Sequence, residues 1–247
     1  MSNSNFFSTA IQNIKTAAKV RKYQVYFGAA LLLLLIVVGA ILFLNAPKPA
    51  AAVPDLTATL KEAQGKVAIK QPGQTDFSDA TVGTILKLHA QLETGTASTA
   101  RLDLPSGTII RVAPSSLFSL DVNHESSDGL TTTLNLNLGQ LFIILKGGSL
   151  DITLPSGVAS VRGSYMSALI YPSSSEIFIE CLEGQCAATN LAGNVPLTNS
   201  QKATLFFQGN ELNQLPKVTG MSRADFMSWL AIAPESTNVV NQIYDNK

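Results

Sequence analysis

The residues with the most chemical potential in this chain are two cysteines, two histidines and a scatter of acids, so the first question is what their spacing allows. Cys181 and Cys186 flank Leu182-Glu183-Gly184-Gln185. If Glu183-Gly184 is a two-residue hairpin loop, Cys181 faces Cys186 across adjacent strands as a close pair, with Cα atoms about 4.5 Å apart, within reach of a disulfide. An oxidising compartment favours that bond, which closes too short a loop for the fold to depend on it. Two packed free thiols are the alternative. The histidines, His89 and His124, lie in no metal-binding or catalytic spacing. No Gly-x-Ser-x-Gly elbow, HExxH pair, Walker loop or dinucleotide glycine pattern occurs. A Ser-His-Asp or zinc mechanism is therefore not expected, and the chain reads as a non-enzyme without cofactor or metal.

Two acidic groupings need weighing. Asp121, Asn123 and Glu125 are spaced like the start of a calcium loop, but Ser126 stands where a glycine is needed and Thr132 where a bidentate glutamate belongs. A solvated turn fits better. Asp103, Asp121, Asp151 and Glu180 would suit glycoside hydrolysis only if they converged in space. Nothing in their spacing brings them together, and acids on alternating strands are expected to face solvent.

The elements that carry these residues follow from patterning. Val25 to Leu44 holds twenty residues without a charge or a proline. As a helix it reaches about 30 Å, the thickness of a bilayer's hydrocarbon core, so it is expected to span the lipid bilayer. Lys15, Lys19, Arg21 and Lys22 precede it and only Lys48 follows within the linker, which predicts a cytoplasmic N-terminus and a main domain on the periplasmic or extracellular side of the inner membrane. The run is longer than the 7 to 15 residues of a signal-peptide core, so retention as an anchor is expected. The organisation predicted is a tail over 1–24, a transmembrane helix over 25–44, a Pro/Ala-rich linker over 45–55, a β domain over 56–215 and a helical segment over 216–247.

Beyond Leu44 stand 13 basic and 17 acidic residues, so the outer part is mildly acidic and offers no surface for a nucleic acid. Thr133 to Leu138 alternates polar and apolar, and Ile177, Ile179 and Cys181 alternate with Phe178, Glu180 and Leu182. Turn residues recur every 8 to 15 positions, which leaves no room for helical crossovers. The fold class is accordingly all-β, with short antiparallel strands in a sandwich or a β-roll or solenoid-like coil, one N-terminal transmembrane helix and a short C-terminal helical pair.

Leu104-Pro105-Ser106-Gly107 recurs as Leu154-Pro155-Ser156-Gly157, and each copy is followed by an aliphatic-arginine pair, Ile110-Arg111 and Val161-Arg162. Proline presets φ and glycine takes the left-handed position after it, so each copy is expected to close a hairpin with a three-residue bulged loop. Near the C-terminus Ser222 and Asp225 form a capping box and Pro234 ends the helix. Phe226, Trp229, Leu230 and Ile232 or Ala233 give that helix an apolar stripe, and Val239, Val240, Ile243 and Tyr244 give a second. The pair is expected to cover an open edge or end of the β domain, with a partner-binding helix as the alternative.

From Ala63 to about Phe207 the chain resembles the FecR family of extracytoplasmic domains. The matching features are Gly65-Lys66-Val67; Gly83 with Leu86; Leu92-Glu93-Thr94-Gly95; Leu102 to Thr108; Leu138-Gly139-Gln140-Leu141; and Pro155-Ser156-Gly157 leading to Val161-Arg162-Gly163-Ser164. His89 and Ser200 stand where the family usually has glycine, and Ser164 where it has threonine. The resemblance implies an all-β domain. The best-known members are transmembrane regulators that pass a signal from an outer-membrane transporter to a cytoplasmic sigma factor, and the 24 residues before the apolar run are too few for their sigma-regulating domain. The expectation is therefore a membrane-anchored, non-enzymatic binding or scaffolding module engaging an envelope protein or wall polymer, with a signalling regulator acting through a partner or proteolysis as the alternative.

Overall fold

The computed structural model describes residues 32–39, 57–126, 129–171, 173, 175–206 and 213–245, with the side chains of 122–130 and 245 left aside. Residues 32–39 form a helix, α1, whose side chains are exposed. The tail 1–24, the linker 45–55 and the rest of the 25–44 run lie outside the described residues. Among those described, no helix is long and apolar enough to cross a membrane.

The β domain contains β1 (Ala58–Gln64), β2 (Val67–Lys70), β3 (Ser78–Asp79), β4 (Ile85–Leu86), β5 (Gln91–Thr94), β6 (Thr99–Asp103), β7 (Ile109–Val112), β8 (Leu117–Ser126), β9 (Gly129–Ile144), β10 (Ser149–Leu154), β11 (Gly157–Ile170), β12 (Glu176–Asn190), β13 (Gly193–Leu197), β14 (Gln201–Phe206) and β15 (Lys217–Gly220). Then come α2 (Arg223–Ile232), a 3-10 turn at Pro234–Ser236 and α3 (Thr237–Asp245). All fifteen strands belong to one hydrogen-bonded sheet that folds back on itself.

Three long strands do the folding, and each changes partners at a glycine. The first half of β9 pairs with β8 and β10, whereas residues 139–144 pair with β11 and 141–144 also with β7. Strand β11 passes from β10 to β9 at Gly163, and β12 passes from β14 to β13 across Gly184. Gly139 and Gly184 have φ of +83° and +96°, and a Cβ on either would collide with Ser116 or Ser164. No other residue type meets both demands. The bends lay two layers face to face over one core, in which Phe118, Leu134 and Ile152 meet Leu102, Ile143 and Ile179.

This bending explains two departures from the sequence expectation. Strand β10 runs parallel to β9, where only antiparallel pairing was predicted. A parallel pair ordinarily needs a crossover of a dozen residues. Here the second half of β9 is itself the crossover: it leaves one layer for the other, and the chain returns through Lys146-Gly147-Gly148 to lie beside the half it left. The other departure concerns the cysteines. Glu183-Gly184 is not a hairpin loop, because β12 continues through it and pairs with β11 on both sides. The register shifts between Arg162↔Gln185 and Tyr165↔Glu183, so both strands bulge together and the ladder survives.

The repeated motif forms two hairpins with different turns. After β6, Leu104 and Thr108 are joined by a hydrogen bond around the three-residue loop Pro105-Ser106-Gly107, with Gly107 at φ +82°. After β10, Leu154 pairs directly with Gly157, leaving the two-residue loop Pro155-Ser156. Gly157 is not left-handed; it is required because a Cβ would run into the Thr189 carbonyl oxygen. Two of the departures from the family pattern also become physical: His89 and Ser200 hold φ of 64° and 62°, the region glycine occupies without strain.

The C-terminal helices pack on a sheet face, not on the edge or end expected. Ile109, Phe142, Ile144 and Leu182 point away from the main core and form a second one with Phe226, Trp229, Ala233 and Val240. Strands β7, β9 and β12 carry these large apolar side chains among polar ones on their outer face, so that face needs a cover. The capping box is formed: Ser222 accepts from the Asp225 amide, and the Asp225 carboxylate accepts from the Ser222 amide.

Candidate functional site

The outer face beneath the helices carries a connected network of charges and hydrogen bonds. Direct cross-strand partners share a face, and the ladders align Glu62 with Arg101, Arg101 with Arg111, and Arg111 with Phe142. They continue through Ser167, Glu180 and Lys202. One transverse row thus crosses the layer from β1 to β14.

The C-terminal segment lies along this row and matches it position by position. Asp225 meets Lys202 at 2.8 Å. Trp229 stacks edge-on against Phe142, centroids 4.9 Å apart, and its Nε1–H donates to Glu180 Oε2 at 3.0 Å. Glu235, held just past α2 by the Pro234 turn, meets Arg111 at 2.7 Å and Arg101 at 3.3 Å. Glu62 and Asp103 complete the arginine end, Asp103 bonding Arg101 at 2.7 Å. That end holds three carboxylates and two guanidiniums.

Electrostatics differ between the two ends. Hydrogen bonds from Arg111 hold the Glu62 carboxyl below its usual range. Burial pushes Asp225 up, but hydrogen bonds from Lys202 and Ser222 outweigh it and the net shift is downward. Glu180 goes the other way. It is 2% exposed, and desolvation raises its pKa to about 7 against hydrogen bonds from Ser167 and Trp229.

Glu180 corrects the expectation that the strand acids face solvent. It alternates with the core-facing Ile179 and Cys181 and so faces outward, but the helices cover that side. Asp103 is partly buried against Arg101, and Asp121 stands 3.6 Å from His89 with both side chains largely exposed. Asp151 is half-buried on β10. No hydrogen bond or ion pair among the described residues joins any two of the four acids. Glu180 has the pKa of a general acid, but sealed under Trp229 it presents no surface to a substrate. Residues 121–126, read as a calcium-like run, are extended strand paired with β9. His124 lies in that strand.

Cys181 and Cys186 are joined as a disulfide, with Cα atoms 5.8 Å apart in the same strand, and span the bend of β12. Both are buried. Beside them a shallow groove of about 300 Å³ runs between Leu182, Glu183 and Asn199 on the sheet side and Val239, Gln242 and Ile243 on α3.

Sequence reasoning missed the pairs Trp229–Glu180 and Glu235–Arg111. The available signals were the arginine after each repeated turn and the single tryptophan inside a capped helix; neither says which strands lie opposite.

Comparison with known proteins finds similarity over part of the chain. Residues 90–186 match the family described as FecR protein, a stretch running from β5 to the bend of β12. Over that stretch the chain is similar to the FecR family. Two crystal structures of a candidate anti-sigma factor from Parabacteroides distasonis ATCC 8503 are similar, each with a TM-score of 0.48, at 11% and 10% identity. Both overlaps cover 57% of this chain, and the chain spans 63% and 64% of theirs, just under two thirds. No curated protein matches the chain.

Proposed function

We propose that the chain is a membrane-anchored signalling regulator whose FecR domain lies outside the cytoplasmic membrane and relays an extracytoplasmic signal through a partner or through proteolysis near the anchor. The observation that supports this reading is the FecR match across residues 90–186 downstream of an uncharged run of twenty residues with basic residues on its N-terminal side. It takes precedence over a purely scaffolding role because signal relay is what the FecR family is best known for. The same features favour a cytoplasmic N-terminus, with an envelope protein or wall polymer as the outer partner. The reading is non-enzymatic: the buried carboxylate serves helix docking, and the remaining row is neutralised by its own partners.

Crosslinking in intact cells, followed by recovery of the full chain from detergent-solubilised membranes, tests it. Co-purification of a sigma factor or kinase is the expected result. Recovery of envelope components alone would overturn signalling in favour of scaffolding, and hydrolysis of wall glycans by the purified protein would defeat both.

A further inference from the structure

We propose that the C-terminal helical segment is a proton-controlled latch: Glu180, sandwiched between the sheet and Trp229, fastens α2 to the outer face when neutral and loosens it when ionised.

The geometry carries this. Glu180 is 2% exposed at the interface between two separable layers, the β11/β12/β14 face below and α2 above. Among the described residues its side chain accepts hydrogen bonds from Ser167 Oγ at 2.8 Å and Trp229 Nε1 at 3.0 Å. Both donors reach the same oxygen, Oε2, so a proton on Oε1 leaves both bonds intact. A neutral carboxyl therefore keeps the full docking geometry without the cost of a buried charge.

The charged groups around it do not cancel that charge. On β14 the facing residue is Lys202, whose ammonium is bound to both oxygens of Asp225 at 3.0 and 2.8 Å. On α2 the facing group is Asp225, which repels an ionised Glu180. Strand β11 supplies neutral Ser167, whose hydroxyl also accepts from Gln140 Nε2 of β9, and Tyr165, whose ring meets the Trp229 ring edge-on with centroids 6.2 Å apart. α3 turns the apolar Val240 toward the same cluster. Among the described residues Glu180 is a buried carboxylate in no ion pair, the Lys202 charge acting on it being bound to Asp225, and its proton affinity places the change near neutral pH.

When α2 lifts, Glu180 reaches water and its pKa returns toward 4.5. Opening and deprotonation are then linked, and the opening equilibrium of α2 rises about tenfold per pH unit between 4.5 and 7 and levels off above. The latch is a property of the fold and stands apart from the signalling reading.

The test uses the full chain in detergent micelles. Trp229 is the only tryptophan, so its fluorescence reports the contact directly. A fluorescence change between pH 4.5 and 7 that levels off above is expected, together with a fall in hydrogen-exchange protection of Arg223–Ile232 over the same range, corrected for intrinsic exchange, while β9 and β11 stay protected. Glu180→Gln should abolish both changes. Ser167→Ala, which removes one bond favouring the carboxylate, should move the midpoint to higher pH. A transition that persists in Glu180→Gln, or a midpoint unmoved in Ser167→Ala, or fluorescence and protection that stay flat from pH 5 to 9 in the wild type, would overturn the latch. If Glu180→Gln does not fold, the direction of the Ser167→Ala shift still decides.

Discussion

Ser200 and His89 hold conformations that cost an L-residue energy. At φ 62° and 64° their Cβ atoms crowd the backbone, and the FecR pattern has glycine at both places. Ser200→Gly is expected to stabilise the domain by about 0.5 to 1 kcal/mol, the relief of strain exceeding the added freedom of the unfolded chain. A higher urea midpoint with unchanged m-value checks this, and a lower one would show that the serine is held by something other than strain. Arg111 poses the opposite case. Only 10% of its side chain is exposed, and it forks between Glu62 and Glu235. Arg111→Ala leaves Glu235 half-buried without its main partner and should cost about 2 kcal/mol. Arg111→Lys should recover little, because an ammonium cannot form both forks. Urea melts of the two variants measure the difference.

At the scale of elements, one sequence motif serves two geometries. Gly107 supplies a left-handed turn where a Cβ would meet only the Lys146 side chain at ordinary van der Waals distance, whereas Gly157 supplies room for the Thr189 carbonyl. Gly107→Asn should therefore be tolerated better than Gly107→Ala, since asparagine accepts the left-handed region. Gly157→Asn should be no better than Gly157→Ala, with both costing several kcal/mol because the obstacle is backbone. Equal rescue by asparagine at both sites would refute the distinction. The bend of β12 is a second such element. A free-thiol assay on denatured, unreduced protein should find no thiol, and the double variant Cys181→Ala/Cys186→Ala should fold with a loss of about 2 kcal/mol, the chain-entropy value for so short a loop. Failure to fold would mean that the disulfide creates the bend.

For the whole molecule, acid groups with opposite shifts set the pH profile. Glu180 binds its proton more tightly folded than unfolded, so its contribution is full below 4.5 and is lost as pH rises toward about 7. Burial this deep makes the loss about 3 kcal/mol. Glu62 and Asp225 have lowered pKa values, so their contributions are present above their ordinary values of 4.5 and 3.8 and are lost as pH falls below them. Stability should pass through a maximum near pH 4.5, fall toward neutrality and then flatten. Thermal melts by near-ultraviolet circular dichroism across pH 3.5 to 8.5 test this, and Glu180→Gln should remove the fall on the alkaline side alone.

Much of this was legible in the chain itself. Alternation marked the strands at Thr133–Leu138 and Ile177–Leu182, the repeated Leu-Pro-Ser-Gly marked two hairpins, and Ser222, Asp225 and Pro234 bounded a helix, because each signal is local and needs only its own neighbours. Tertiary structure alone decided where β9, β11 and β12 bend, that β10 runs parallel to β9, and that Arg101, Arg111, Glu180 and Lys202 fall in one row. It also decided that Glu180 is buried. Alternation separates the two faces of a strand, but whether the polar face meets water depends on which distant segment lies over it, and here that segment is a helix about fifty residues further along the chain.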